Sequence, residues 1–318
     1  MTTSSSWAAT RCWPCGSWRI DLPVAALLQG PTVAQMARAA AGRTARIHPP
    51  VVVLQGEGTA RPLFLVHAGG GHLVCYHPLA QLLAPHQPLF GLQARGLDDG
   101  LMPLQGVDAM AAYYLEGVRR AQPEGPYRLG GWSYGGMVAW EMARRIRAEG
   151  GEVELLALID TQPPEPRDTP GLALDHAAVL RRVLTDVFGW GGTASVTVEA
   201  LRRLEPDAQL DLAARRLGPR ILAPERVAEV AALTRVRMAN HNATVDFEAR
   251  PYPGRLTYFR SRGSASLTSA DATVRYWGRL ADGFGLHEVA GNHGTLLQRP
   301  HVDTLADALR RVMGDGRA

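Results

Sequence analysis

The sequence predicts an α/β protein: a mostly parallel sheet flanked by helices. Three observations carry this. From Pro62 onward, apolar runs of strand length alternate with helical patterns, as in parallel strands joined by helical crossovers. The chain has 318 residues, 46% of them hydrophobic, enough for one large domain with a sizeable core plus an appendage. One strand-like run, P-Y-R-L-G-G-W-S at 126–133, turns directly into a helical pattern through glycines.

The elements follow in order. Residues 1–19 carry neither helical nor strand periodicity. Residues 20–41 read as a turn and two short helices, the second capped by Thr32, with Val33, Met36 and Ala37 on one face. Residues 42–61 read as a linker, punctuated by Gly42, Pro49, Pro50, Gly56 and Gly58. L-F-L-V-H-A-G-G-G (63–71) is a buried strand entering a Gly-rich loop, and P-L-F-G-L-Q-A-R-G (88–96) is a second strand. A helix covers 108–121, and 126–133 is the third strand. The next helix, 136–150, is almost wholly apolar at its start, as under a sheet. Its wet side is marked by Glu141, spaced three and four residues from Arg144 and Arg145. V-E-L-L-A-L-I-D (153–160), R-L-T-Y-F-R-S (255–261) and L-H-E-V-A-G (286–291) are further strands, and 301–313 is the closing helix.

Several classes are excluded. No run approaches the 18 or so apolar residues of a membrane span, and no charged segment followed by an apolar one reads as a signal peptide, so a cytoplasmic setting is expected. Net charge is +4, and every basic residue is Arg. No basic cluster interleaved with aromatics points to nucleic acid, although the charge favours weak attraction to an acidic partner. Three Cys are too few for a disulfide framework, and C-W-P-C (12–15) stands alone. No His, Asp and Glu cluster has metal-ligand spacing, and no phosphate loop followed by Lys exists.

The chemistry begins at Ser133, in G-W-S-Y-G (131–135). A nucleophile at the tip of a strand-turn-helix needs a cramped backbone, and side chains two before or two after it would collide with neighbouring elements. The turn also aims the Tyr134 N–H at a substrate oxygen, at a helix N-terminus where the potential is positive. L-G-G-W-S also looks like the Ser site of a carrier protein, but a carrier has a loop before it, not P-Y-R-L in strand register. A Ser nucleophile needs a base and an orienting acid, in chain order Ser, acid, His. Asp160 ends an apolar strand where sheet termini line a site, with Asp246 and Asp271 as reserves. Of the histidines weighed, His67, His72 and His77 precede the nucleophile, and His48 lies in the linker. His176 and His241 fall in a helical insertion, and His287 and His301 suit packing or surface. His293, in G-N-H-G between the last strand and last helix, has the right order and a loop to place it. A second oxyanion donor is expected from Ala68 or Gly69 in H-A-G-G-G, beside that of Tyr134.

These residues together resemble a family. L-V-H-A-G-G-G, F-G-L-Q-A-R-G-L, Q-P-E-G-P-Y-R-L-G-G-W-S-Y-G-G, L-A-L-I-D-T and G-N-H with Leu296 look like a thioesterase domain. They look most like the releasing thioesterase at the end of a nonribosomal peptide synthetase, over about residues 62–313. The resemblance implies an α/β-hydrolase fold with a helical lid at about 165–249. It implies attack by Ser133 on a thioester held on a carrier's phosphopantetheine arm. An acyl-enzyme forms, and water or an internal amine or hydroxyl resolves it. No bound cofactor is implied; the partner is an acyl or peptidyl carrier protein or the upstream synthetase modules. H-A-G-G-G departs from the H-P-x-G of many relatives, which touches the second oxyanion donor. Two other readings share these residues: an editing thioesterase or acyltransferase acting in trans, and an inactive module that docks carriers.

Residues 20–41, with D-L-P and P-T-V, resemble the last third of a carrier domain, a layout suited to a synthetase terminus. The carrier's Ser motif is missing, so the chain is not expected to load itself. Residues 1–14 are expected to be a carrier motif of the type D-D-N-F-F-E-L-G-G-H-S-L-L-A read out of frame, since one coding of that motif, shifted by one base, yields M-T-T-S-S-S-W-A-A-T-R-C-W-P. On that reading C-W-P-C has no redox or metal role and residues 1–19 are disordered.

Overall fold

The computed structural model describes residues 50–164, 174–263 and 270–314. The expected out-of-frame leader and carrier remnant, 1–19 and 20–41, lie outside the described residues. The strands are β1 (Val51–Gln55), β2 (Leu63–Val66), β3 (Leu89–Leu92), β4 (Tyr127–Trp132), β5 (Val153–Ile159), β6 (Tyr252–Ser261) and β7 (Ala281–Val289). They form one sheet in the order β1-β3-β2-β4-β5-β6-β7. β1 runs antiparallel to β3, and every other pair is parallel. The helices are α1 (His77–Leu83), α2 (Val107–Ala121), α3 (Tyr134–Ala148), α4 (His176–Phe188), α5 (Trp190–Thr193), α6 (Val198–Leu201), α7 (Pro206–Leu217), α8 (Pro224–Asp246), α9 (Ala270–Gly278) and α10 (Val302–Met313).

Strand alternation sorts the core into two layers. Phe64 and Val66 of β2, with Leu156 and Leu158 of β5, bury against α2, α3 and α9. Leu63 and Leu65, with Leu155, Ala157 and Ile159, bury against α1 and α10. Both faces are covered, which is why these strands read as continuous apolar runs. The insertion between β5 and β6 has a core of its own, in which Val179, Leu180, Val183 and Leu184 of α4 meet Ala213 and Leu217 of α7 and Val230 of α8.

Three expectations are corrected. The stretch 42–61 is not all linker: V-V-V-L-Q forms β1 and pairs with β3 at the sheet edge. Flanking prolines and glycines masked a β-branched run of strand length. The last strand starts at Ala281, five residues before its apolar core, because β7 is an edge strand and mostly half-exposed. Glu141 does not mark a wet face. It is 1% exposed, roofed by Arg144 and Arg145, which both donate to its carboxylate. Two guanidiniums supply the charge and hydrogen bonds that a buried carboxylate needs. Helices α1 and α9 were not foreseen.

The β1 correction is testable. Val52 is 2% exposed and Val53 is 38% exposed. Val52→Asp puts a carboxylate into the core and is expected to lower stability by about 3 kcal/mol or more. Val53→Asp is expected to change it by less than about 0.5 kcal/mol. Urea unfolding at pH 7 compares the two; equal effects would mean that β1 is not part of the folded sheet.

Candidate active site

The site forms where β4, β5 and β6 end. Ser133 follows β4 and caps α3, with φ 57° and ψ −126°. Asp160 follows β5 with φ 48°. Among the described residues these two are the non-glycine residues with left-handed backbone, a conformation that costs about 1–3 kcal/mol each and persists only where the surroundings enforce it. Here the enforcement is backbone pairing: the Ser133 N–H donates to the Ile159 carbonyl at 2.9 Å, and the Asp160 N–H to the Phe259 carbonyl at 2.8 Å. The glycines of the turn are sterically required. A Cβ on Gly131 would lie 2.2 Å from the Gly135 carbonyl carbon, and one on Gly135 would lie 2.5 Å from the Val66 oxygen.

His293 arrives from the other direction, on the loop between β7 and α10. The Asn292 side chain accepts from the Gly294 N–H at 3.0 Å, and Thr295 Oγ1 accepts from the Asn292 N–H at 3.0 Å, so the loop is tied on itself. The imidazole bridges the other two residues: Nδ1 is 2.9 Å from Asp160 Oδ2, and Nε2 is 3.1 Å from Ser133 Oγ. A carboxylate only accepts, so Nδ1 carries a proton and Nε2 faces the serine hydroxyl as acceptor. Trp132 lies against the imidazole, ring centroids 5.3 Å apart. Asp160 is 2% exposed, and Ser261 at the end of β6 serves it twice. The Ser261 N–H donates to Oδ1 at 3.0 Å and its Oγ–H to Oδ2 at 2.9 Å.

Of the residues singled out for an oxyanion site, Ala68 and Gly69 lie on the loop after β2 and Tyr134 opens α3. His67 Nδ1 is 2.7 Å from the Ala68 carbonyl, and Nε2 is 2.6 Å from the Tyr114 hydroxyl. The carbonyl fixes the tautomer: Nδ1–H donates to Ala68, and the tyrosine donates to Nε2. Burial pushes the His67 pKa down to about 4, so the ring is neutral at working pH. Its ring stacks on Tyr134, the first residue of α3. The Tyr76 hydroxyl links the same strand ends, donating to the Val66 carbonyl and accepting from the Trp132 N–H. A cavity of about 230 Å³ adjoins this loop, bounded by Gly70 and His72, by Val183 and Asp186 of α4, and by Leu233 and Arg237 of α8. Asp246 and Asp271, the reserve acids, lie in chain at the end of α8 and the start of α9. Asp160 is the carboxylate on the imidazole.

Sequence reasoning missed Ser261, Tyr76, Tyr114 and Asn240. Ser261 had a signal, since it ends a strand next to that of Asp160. The others act from helices and helical turns, where only the packing brings them to the site. Among the described residues, no group of three His, Cys, Asp or Glu side chains is placed to hold a metal, and no helix is long and apolar enough to cross a membrane.

Sheet order, strained Ser after a parallel strand and the Ser–His–Asp relay define an α/β-hydrolase. The chain belongs to the thioesterase domain family, whose model matches residues 61–312, and it is an enzyme of the class that hydrolyses thioesters. It is similar to the nonribosomal peptide synthetase pngA of Aspergillus terreus, with 27% identity over 93% of this chain and 33% of that protein. The chain thus spans about a third of that relative's length. It is also similar to the NocB thioesterase domain from the nocardicin cluster, solved as a covalent complex with a fluorophosphonate nocardicin G analog. The identity is 28%, the TM-score 0.59, and the match covers 83% of this chain and 99% of that one. A four-domain nonribosomal peptide synthetase bound to AMP and glycine shares the fold, with TM-score 0.72, 24% identity, and 91% and 22% of the two chains covered.

Two outcomes test this geometry. Ser261→Ala removes one donor from Asp160 and is expected to lower kcat about tenfold, the rate equivalent of one hydrogen bond to a charged group, with KM unchanged. Steady-state thioester hydrolysis reads this, and unchanged kcat would deny Ser261 its role. His67 gives a pH dependence. Its folded pKa lies below the unfolded value of 6.5, so the folded state binds fewer protons, and stability present above pH 6.5 is lost as pH falls toward 4. Between pH 7 and pH 5 the loss from this residue is about 2 kcal/mol. Urea titrations at both pH values are expected to show a drop in the wild type that is smaller by that amount in His67→Asn.

Proposed function

We propose that this protein releases an acyl or peptidyl chain from a carrier in nonribosomal peptide or polyketide assembly. Ser133 Oγ attacks the carbonyl of a thioester on the carrier's phosphopantetheine arm, while His293 Nε2 takes the hydroxyl proton and Asp160 holds the imidazolium. The N–H of Tyr134 and that of Ala68 or Gly69 receive the negative charge of the tetrahedral intermediate. The intermediate collapses to an acyl-Ser133 ester and the arm's thiol, which leaves with the proton from His293. Water, or an amine or hydroxyl of the acyl chain, then gives its proton to His293 and attacks the ester, restoring Ser133. The insertion from α4 to α8 acts as a lid over this cleft, and its closure sets how much water reaches the ester. No cofactor is resident; the phosphopantetheine belongs to the substrate.

The observation that carries this reading is the unbroken Ser133–His293–Asp160 chain of hydrogen bonds in a thioesterase-family chain. The names of the matched relatives, synthetases of which this chain spans only a part, support carrier domains or upstream synthetase modules as its partners.

The test is a pair of variants assayed on a peptidyl or acyl N-acetylcysteamine thioester. Ser133→Ala is expected to abolish cleavage and the acyl-enzyme mass adduct while keeping the fold, since a small side chain fits the turn. Asp160→Asn is expected to lower kcat by about 10⁴-fold through loss of the imidazole's orientation. An acyl adduct on Ser133→Ala, or full rate in Asp160→Asn, overturns the assignment.

A further inference from the structure

The geometry points to Asn240, on helix α8 of the insertion, as a positioning residue for the oxyanion loop: its amide holds the Gly69 carbonyl and so ties the insertion to the loop that carries the Ala68 and Gly69 N–H groups. The inference rests on the reading of the site given above and adds a residue and a coupling to it.

The loop after β2 has its carbonyls tied back. The Ala68 carbonyl accepts from the Gly71 N–H at 2.9 Å and from His67 Nδ1–H at 2.7 Å. The Gly71 carbonyl accepts from the Ala94 N–H at 3.0 Å. The Gly69 carbonyl accepts from Asn240 Nδ2 at 3.0 Å. Among the described residues no acceptor takes the N–H of Ala68 or Gly69, so the anchored carbonyls leave these donors free. Each peptide is planar, so holding the Gly69 carbonyl fixes the plane shared with the Gly70 N–H and stops the 69–70 unit from rotating under its neighbour. Glycines on both sides make that rotation easy without the tie.

Asn240 is suited to this and poorly explained otherwise. It is 2% exposed, in a helix whose interior does not favour Asn. A buried amide away from any partner would destabilise the fold, and its partner comes from 171 residues away. The contact is close around it. Gly71 has φ +85°, and a Cβ there would lie 2.5 Å from Val236 Cγ1, one turn back on α8. Arg237, next on that helix, pairs with Asp186 of α4 at 2.5 Å across the cavity beside the loop. A chain that fills this cavity bears on α4 and α8, and through Asn240 any displacement of α8 reaches the Gly69 peptide. The insertion therefore governs turnover through the oxyanion geometry as well as through access.

The test compares Asn240→Asp, Asn240→Leu and Asn240→Gln with the wild type. Asp keeps the shape and replaces the donor by a carboxylate facing a carbonyl; Leu removes the polar group, and Gln keeps the donor. Three readouts are taken: kcat and KM on the N-acetylcysteamine thioester, the Ki of a trifluoromethyl ketone analogue that forms an oxyanion on Ser133, and the Ki of the matching thioether, which forms none. Asp and Leu are expected to lower kcat at least tenfold and weaken the ketone in parallel, with KM and the thioether Ki within twofold, and Gln is expected to recover much of the loss. Thermal melting shows which variants are folded; if Asp fails to fold, Leu carries the comparison. Unchanged kcat, or ketone and thioether weakened equally, overturns the inference. A wild type that neither turns over the thioester nor is labelled at Ser133 by a fluorophosphonate overturns instead the reading of the site.

Discussion

The structure depends on one crowded crossing, where β4 turns into α3 against β2 and β5. The turn leaves no space for a Cβ at Gly131 or Gly135, and the helix it starts is buried along most of its length. Ser133 is pushed into left-handed backbone and held by the Ile159 carbonyl. The strain is affordable because α3 carries much of the core: Val138, Trp140, Met142 and Ala143 are fully buried. Stability made by the helix holds Ser133 in a conformation that an isolated peptide would leave.

The same constraint repeats one strand over. Asp160 is left-handed, anchored by the Phe259 carbonyl, and its carboxylate is satisfied from β6 by Ser261. β4 and β5 end in register with β6, so that Ser133 and Asp160 each follow a strand end and are held by a carbonyl of the next strand over. His293 completes the set from a loop tied by Asn292 and Thr295, and so approaches two groups already immobile. In the proposed mechanism little reorganisation remains for the transfer of the serine proton, which is the condition under which fixed dipoles stabilise a developing charge most.

This explains which parts of the protein could be read from sequence. Ser133, Asp160 and His293 sit at the ends of elements, where apolar runs stop and glycines gather, so chain order and local pattern point to them. The central strands read as apolar runs because both faces are buried. β1 did not, since an edge strand framed by Pro50 and Gly56 has the punctuation of a loop. Glu141 misled for a related reason: a carboxylate spaced from two arginines looks like an exposed ladder, and only packing reveals that the guanidiniums cover it. Periodicity reports which face is apolar, and it is silent on a polar group buried together with its partners.

The supporting residues were illegible on stronger grounds. Tyr76, Tyr114 and Asn240 act through one or two hydrogen bonds to strand ends, to His67 or to the loop after β2, and nothing local in their sequence differs from ordinary helix or turn positions. Their roles exist only once the two sides of the sheet and the insertion have been placed. The insertion is the extreme case, since it forms its own apolar core and yet reaches the loop after β2, where the Asn240 amide holds the Gly69 carbonyl and Val236 leaves no room for a Cβ on Gly71. A separately cored unit can shift as a body without unfolding the sheet beneath it. α8 also reaches the main core, where Ala243 is buried in the same cluster as Tyr134 and Met137.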